Sequence, residues 1–297
     1  MAFPTAVNSQ ITDSVTGTTP QPSAAPAFNH RVAVLGAGKM GGILLGGFLG
    51  KNLISRENAT ATVAHADEAA RVHDKLGIAV GTNNADAVKN ADIILIAVKP
   101  QVVTDVLAQI RPNLKPSQLV ISVAASVPTY TIEQALGSEI PVVRAMPNTP
   151  CLVGQGMTAI CKGKFTTPAH VATTQALFGA VGRTVVIEEK LMDAATGLSA
   201  SGPAFIYIIL ESLAEAGVKV GLPRETATLM AAQTMLGSAQ VALETGDHPA
   251  LLKDAVTTPA GCTIDGIMEI EEGKLRVTLI KAVVKAAQRA KELGNKD

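Results

Sequence analysis

A glycine-rich turn between an apolar run and a helical run constrains this chain more than any other feature. In RVAVLGAGKMGGILLGGFL (31–49), Gly36, Gly38 and Gly41 have the spacing G-x-G-x-x-G. The first glycine permits a tight turn, the second lets a pyrophosphate approach the backbone, and the third lets helix and strand pack closely. The free N–H groups of the helix start then face the phosphates. The motif predicts dinucleotide binding by six residues, Gly36, Ala37, Gly38, Lys39, Met40 and Gly41.

Short apolar runs alternate with helical-looking segments from Arg31 to about Glu188. Several of these runs are nearly all apolar, which is typical of central parallel strands buried on both faces. The runs read as strands are 31–36, 61–66, 91–98, 118–124, 141–146, 157–160 and 183–188. This rhythm predicts an α/β fold in which residues 30–188 form a Rossmann-like doubly wound sheet.

The strand rhythm stops after Lys190, and the remaining chain has apolar residues at helical spacing. The predicted helices are 190–199, 203–216, 224–244, 262–272 and 275–293. Pro203 and Pro223 stand where first helical turns would begin. Four glycines fall at the expected breaks, Gly217, Gly221, Gly246 and Gly273. Residues 189–297 are therefore predicted to form an all-helical C-terminal domain.

The amino-acid composition of the chain argues against several classes of function. The 25 Lys and Arg residues balance the 25 Asp and Glu residues, which argues against a nucleic-acid surface. The three cysteines are widely spaced, so a metal site is not expected, and a reducing compartment suits them. Residues 1–29 have no apolar period and no cationic start, so we expect a disordered extension rather than a signal peptide. With no apolar run long enough to span a bilayer, the expected location is the cytoplasm.

Two further segments follow apolar runs and would lie at the sheet edge where ligands bind. In TVAHADEAAR (62–71), Asp67 could bind a ribose hydroxyl, which favours NAD, whereas His65 or Arg71 could meet a 2′-phosphate, which favours NADP. In IAVKPQVV (96–103), Lys99 either meets the ligand or caps the sheet. A third loop at this edge, RAMPNTPCLVGQG (144–156), is expected to supply shape rather than proton transfer.

The stretch TTPAGCTID (257–265) interrupts the helical half with hydroxyls, a proline and small residues. It is either a helix–helix turn or a loop whose backbone N–H groups hold an anion at a helix start. His248, just before it, is interpreted as starting a helix rather than as a base. Cys262 has no evident cationic partner in the sequence, which argues against a nucleophile.

The chain resembles the pyrroline-5-carboxylate reductases, enzymes of the last step of proline biosynthesis, from Arg31 to Gly294. The motifs that carry the resemblance are GAGKMG (36–41), AVKPQ (97–101), MPNTP (146–150), DAATGLSASGPAF (193–205), AGVKVGLPR (216–224) and HPALLKDAVTTPAGCT (248–263). The resemblance implies NAD(P)H-dependent reduction of a cyclic imine, 1-pyrroline-5-carboxylate, to L-proline. It also implies a helical domain that interlocks with a partner subunit, in dimers that often assemble into decamers.

The resemblance also implies site residues. The loop would bind substrate through Val256, Thr258, Gly261, Cys262 and Thr263, and the hydroxyl of Thr263, the catalytic residue, would bond the ring nitrogen. Asn84 would lie near the cofactor ribose. The other implied cofactor-binding residues are His65, Ala66, Ala97, Val98, Lys99 and Pro100.

The chain departs from the family pattern at Ala200, Phe205, Ala260 and Cys262, and it has Ala66 where many relatives have an arginine. NADPH and NADH therefore both stay open, with the resemblance slightly favouring NADPH.

Two other interpretations compete with an imine reductase. A 3-hydroxyacid dehydrogenase has the same two-domain plan, but it would need a lysine on the first long helix of the second domain. The segment AFIYIILESLAEAG (204–217) has none. A dinucleotide sensor would bind cofactor without turnover, and only residues 1–29 are available as a regulatory module.

Overall fold

The protein is described here by a computed structural model, in which residues 28–294 are defined. The predicted extension, residues 1–29, therefore lies outside the described residues except at its end. There, Phe28 packs against the core cluster beneath the first helix.

The N-terminal half is built around one eight-stranded sheet with the order β3-β2-β1-β4-β5-β6-β7-β8. The strands are β1 Val32–Leu35, β2 Ala59–Thr62, β3 Ala79–Gly81, β4 Ile93–Ile96, β5 Leu119–Ser122, β6 Val142–Met146, β7 Gly156–Lys162 and β8 Gly182–Val186. The described helices are α1 Lys39–Gly50, α2 Ala66–Leu76, α3 Asn84–Val88, α4 Val103–Ile110, α5 Thr129–Leu136, α6 Pro168–Gly179, α7 Met192–Ala195, α8 Gly202–Lys219, α9 Arg224–Thr245, α10 Pro249–Ala255, α11 Cys262–Glu272 and α12 Leu275–Gly294.

Both faces of the sheet are covered, which confirms the predicted doubly wound fold. Val32 and Val34 of β1 belong to a cluster with α1 and α6, in which Phe48 meets Phe178 edge to face at 6.0 Å. Ala33 and Leu35 point to the opposite cluster, which contains residues of α4 and α5. The alternation of side chains along a strand thus places successive residues of β1 in two different cores.

Three details of the sheet differ from the prediction. The second strand ends at Thr62 instead of residue 66, and the short, largely exposed β3 was missed. The third difference is one of direction: β7 pairs with β6 antiparallel, and β8 pairs with β7 in parallel. The connection between β6 and β7, residues 147–155, is shorter than the roughly twelve residues that a parallel crossover needs.

The predicted break between the first two helices of the second half is wrong. The helical run continues from Glu189 to Lys219, through a π-helical turn, Thr196–Ala200, in which Ser201 donates to the carbonyl of Thr196 at 3.0 Å. This wider turn accommodates Pro203, which has no N–H to give. Gly217 lies inside α8 rather than at a break, and a Cβ there would come within 2.8 Å of the Cβ of Ala227 on α9.

A short helix was also missing from the predicted set, although its start was predicted. His248 is the N-cap of α10, where its Nδ1 accepts a hydrogen bond from Ala250 at 3.2 Å. The helix spans only seven residues, too few for an apolar period to show in the sequence.

The helical domain buries little of its apolar surface within one chain. Ala214 is the buried residue of α8, whereas Ile208 is 63% exposed, Leu229 is 69% exposed and Leu251 is 63% exposed. The run Glu189–Lys219 is long and apolar enough to cross a membrane by length and composition alone. Only 11% of its most apolar 18-residue stretch is buried. An apolar surface of this extent marks a site of association.

A buried ion pair joins the two domains. Arg144 on β6 is 2% exposed and donates from Nη1 to Oε1 of Glu189 at 2.9 Å, where the helical run begins. The other carboxylate oxygen of Glu189 accepts from the backbone N–H of Thr129 at the start of α5, at 3.2 Å. On the far side, the hydroxyl of Ser126 donates to the carbonyl of Ala290 on α12 at 2.8 Å. These contacts fix the helical run against the sheet.

Candidate active site

The glycine loop at the end of β1 is held in place by β2. Both Gly36 and Ala37 donate their N–H groups to the carbonyl of Thr62, at 3.0 and 2.8 Å. These two donors are therefore engaged within the protein. The donors left for a phosphate begin at Gly38, the N-cap of α1, and continue through Lys39, Met40 and the rest of the first turn.

The three glycines of the motif have different steric surroundings. Gly36 has φ +92°, in the left-handed region, and a Cβ there would lie 2.7 Å from Val98. A Cβ on Gly41 would collide with the carbonyl oxygen of Gly36. A Cβ on Gly38 would meet no atom of residues 28–294 within 4 Å. The open side of Gly38, next to the free helix-start N–H groups, is the space that a pyrophosphate needs, so the loop fits a dinucleotide.

Gly38 and Lys39 also line a cavity of about 760 Å³ that runs along α1. Leu152 and Val153, which are 71% and 72% exposed, line the same cavity. The cavity lies mainly along the outer face of α1 and not at the sheet edge, so its size does not mark the site of chemistry.

The turn after β2 carries the residues predicted to choose between the two cofactors. Because β2 ends at Thr62, His65 is the N-cap of α2, and Ala66 and Asp67 lie in its first turn. Arg71 donates from Nη2 to Asp67 at 2.7 Å, one helical turn away. This hydrogen bond lowers the pKa of Asp67. Arg71 is therefore engaged by a carboxylate of its own helix.

Asn84 lies beside the glycine loop through β2. Its Oδ1 accepts from the hydroxyl of Thr62 at 2.6 Å, and its Nδ2 donates to Oε1 of Gln109 at 2.8 Å. The carbonyl of Thr62 thus accepts from the glycine loop, and the hydroxyl of Thr62 donates to Asn84. Asn84 is therefore linked to the glycine loop through Thr62, and its place near the cofactor ribose stays a prediction.

The segment 97–100 forms the neighbouring wall of the same sheet edge. Ala97 donates to the carbonyl of Leu35 at 2.8 Å, and Val98 packs under Gly36. Lys99 is exposed and precedes the 3₁₀ turn Pro100–Val102. The residues predicted from this segment therefore adjoin the glycine loop.

The loop 256–263 leads into a helix start that has no side-chain cap. α11 begins at Cys262, and its N-cap, Gly261, has no side chain to satisfy the first-turn N–H groups. Gly261 itself donates to the carbonyl of Thr258 at 3.1 Å, and Ala260 has φ +55°. Thr263, in the first turn, is half-buried, while Cys262 is exposed.

The two halves of the predicted site are not joined within one chain. Over residues 28–294, the hydrogen bonds of the loop 256–263 stay within the helical domain, and no ion pair links it to the glycine loop. Val256 is 65% exposed. No group of His, Cys, Asp and Glu side chains in the described part of the chain could hold a metal ion.

The comparisons with known proteins decide the family. A family model described as pyrroline-5-carboxylate reductase dimerisation matches residues 189–293, and one described as NADP oxidoreductase, coenzyme F420-dependent, matches residues 31–126. The pyrroline-5-carboxylate reductase of Methanosarcina acetivorans is 44% identical over 268 residues, covering 90% of this chain and 99% of that protein. The chain belongs to the pyrroline-5-carboxylate reductase family.

Solved structures of the family agree over the same span. Pyrroline carboxylate reductase of Plasmodium falciparum, solved with NADP bound, is 33% identical with a TM-score of 0.82, covering 90% of this chain and 99% of that one. The enzyme of Coxiella burnetii is 34% identical with a TM-score of 0.83, at the same coverage. The predicted fold and family are therefore confirmed.

Family membership explains the exposed apolar helices. The matched dimerisation region, residues 189–293, contains the whole exposed run Glu189–Lys219. This surface belongs to an oligomerisation domain of the family. The competing dehydrogenase interpretation is wrong, because relatives that cover 90% of the chain at 39–44% identity are pyrroline-5-carboxylate reductases.

One buried residue of the sheet edge was assigned no role from sequence. Asn148, in the loop after β6, is 9% exposed and bonds to the helical domain. From the sequence, this proline-rich loop was expected only to give the sheet edge its shape. The hydrogen-bond partner of Asn148, the carbonyl of Ser199, lies 51 residues away in the chain. Only the fold reveals the contact.

Proposed function

We propose that this protein reduces 1-pyrroline-5-carboxylate to L-proline with a nicotinamide cofactor, in the cytoplasm, as the last step of proline biosynthesis. The observation that carries the proposal is the pairing, in a member of this family, of an open glycine loop with an uncapped helix start in a hydroxyl-rich loop. The first fits a dinucleotide and the second fits a carboxylate.

The cofactor is held by the sheet edge. The N–H groups of Gly38, Lys39 and Met40 bind the pyrophosphate, and the wall 97–100 supports the nicotinamide half. Asn84 and the turn at His65 and Ala66 lie on the adenosine side. When bound, the cofactor supplies the hydride. Either NADPH or NADH fits this arrangement.

The helical domain holds the imine. The substrate carboxylate accepts hydrogen bonds from the first-turn N–H groups of α11, whose dipole favours an anion. The hydroxyl of Thr263 bonds the ring nitrogen, and the exposed residues Val256, Thr258 and Cys262 line the ring. A cyclic imine can arrive already protonated, so no strong acid is needed from the protein.

We infer that a partner subunit completes the site. The loop 256–263 is exposed and unattached to the glycine loop of its own chain, and it lies within the matched dimerisation region. The dimer brings the loop against the cofactor edge, and dimers assemble further into decamers. Positioning the two reacting carbons is then the main contribution of the protein, which can be worth about 7–11 kcal/mol.

The test is the initial rate of NADPH and NADH oxidation with 1-pyrroline-5-carboxylate, followed by detection of proline. We expect turnover with at least one cofactor and none with 3-hydroxy acids in the reverse direction. Binding of a cofactor without imine turnover would instead favour the dinucleotide sensor. Light scattering after size-exclusion chromatography measures the oligomer, and a monomer would contradict the shared site.

A further inference from the structure

Asn148 occupies an N-cap position without acting as a cap. It precedes the turn Thr149–Val153, but its side chain makes no capping hydrogen bond. Asparagine is favoured at this position because its side-chain oxygen accepts from first-turn N–H groups. Here the buried carboxamide turns away from its own turn, toward the second domain.

The hydrogen bonds of this carboxamide have a fixed polarity. Oδ1 accepts from the backbone N–H of Met157, at the start of β7, at 2.9 Å. Because a backbone N–H can only donate, the oxygen must face Met157, and Nδ2 must face the helical domain. Nδ2 donates to the carbonyl of Ser199 at 3.2 Å and lies 3.4 Å from its hydroxyl.

The carbonyl of Ser199 needs this donor because of a proline. Ser199 lies in the π-helical turn Thr196–Ala200, four residues before Pro203. In a regular helix its carbonyl would accept from the N–H of residue 203, which a proline lacks. A carbonyl without a donor in a half-buried place costs free energy, and Asn148 supplies the donor from the other domain.

The sequence neighbours of both residues line one cleft of about 430 Å³. Thr149, next to Asn148 in sequence, lines one side of this cleft, and Ala200, next to Ser199, lines the other. The rest of the lining also comes from the helical side: Ser201, Pro203, Ala204, Phe205, Tyr207 and Ala286. The hydrogen bond between Asn148 and Ser199 therefore sets the spacing of the two walls.

We propose that Asn148 is a positioning residue for the reaction: by bonding the proline-orphaned carbonyl of Ser199, it fixes the distance between the sheet edge and the π-helical turn. The inference rests on the proposed function: the helical domain, which lies in the matched dimerisation region, holds the partner subunit whose loop 256–263 faces this sheet edge, so the spacing that Asn148 fixes also places that loop against the cofactor. A misplacement of about 1 Å can reduce the rate of a positioned reaction by about 100-fold.

The test is a double-mutant cycle of Asn148→Ala and Pro203→Ala in the full-length protein. Asn148→Ala should lower kcat/KM for the imine by about 10- to 100-fold, lower Tm, and leave the cofactor Kd within about 2-fold. Adding Pro203→Ala gives residue 203 an N–H for the carbonyl of Ser199. The double variant should therefore regain Tm but stay slow relative to Pro203→Ala alone.

The matched control is Thr167→Ala, which removes a cap from α6, away from the cleft. It should lower Tm without changing kcat/KM. Asn148→Asp is the second variant should the alanine variant not fold, because it keeps an acceptor for Met157 but sets an oxygen against the carbonyl of Ser199. It should be slow as well.

Three results would overturn the inference. One is an Asn148 variant with wild-type kcat/KM and a lowered Tm, like the control, which would make the residue only a structural support. Another is a double variant that regains rate and Tm together. If the wild-type protein turns over no cyclic imine with either cofactor, the proposed function fails and the inference falls with it, so the two failures are distinguishable.

Discussion

Replacing Gly38 with valine should abolish tight cofactor binding while leaving the fold intact. The backbone at Gly38 is extended, with φ −74° and ψ −151°, and a Cβ there meets no atom of the described residues within 4 Å. The new side chain would project into the space proposed for the pyrophosphate. Each hydrogen bond from an N–H group to a charged phosphate contributes about 1.5–3 kcal/mol. Each bond lost should therefore weaken binding by about 10- to 150-fold.

The assay is a titration of NADPH and NADH, with the fluorescence of the nicotinamide as the signal, since the chain has no tryptophan to interfere. Calorimetry gives Tm for the same samples. Gly41→Ala is the matched control, because even a methyl group there collides with the carbonyl of Gly36 and should lower Tm. Wild-type Kd values for both cofactors in Gly38→Val would refute the assignment of this loop. A fall in Tm as large as that of the control would refute the open space at Gly38.

Three more predictions concern the proposed site. Thr263→Val should lower kcat/KM for the imine by about 10- to 1000-fold, or about 1.4–4 kcal/mol, with cofactor Kd unchanged; wild-type kcat/KM would make the loop only a turn. Ala66→Arg should raise the ratio of NADPH to NADH efficiency, and more so with Asp67→Ser added, because a guanidinium pairs with the 2′-phosphate and a carboxylate is removed. An unchanged ratio in both variants would place the ribose elsewhere. Iodoacetamide at pH 8 should modify the exposed Cys262 and stop turnover. It should not modify Cys161, because burial and Glu189 raise the pKa of that thiol to about 12 and the thiol stays protonated. Mass spectrometry showing Cys161 modified first would contradict this.

The glycine loop and the α/β rhythm were predictable because their signals are local. A tight turn, a buried strand and a helix start each need particular residues within a few positions of one another. The helix start at Cys262 was predictable in the same way, from small residues and hydroxyls before a helical run, while the substrate role of that loop stays a prediction.

Features that depend on distant parts of the chain were not predictable. The end of β2 was placed too late because Val63 continues the apolar run, whereas the pairing with β3 ends at Thr62. The antiparallel β7 depends on a loop too short for a crossover. The partner of Asn148 is visible only once Pro203 is seen to leave a carbonyl without a donor.

The exposed helical half has a thermodynamic consequence. Since α8 buries one residue in its own chain and α11 buries none, this domain has too little core to be stable by itself. Because this region matches a dimerisation model, we expect a second chain to complete its core, so that folding and subunit association form one equilibrium. The melting temperature should then rise with protein concentration. A substitution on α8 or α9 is present in both subunits, so it should change the stability of each dimer twice over. In a cell that makes two alleles, a destabilised copy would weaken its normal partner as well.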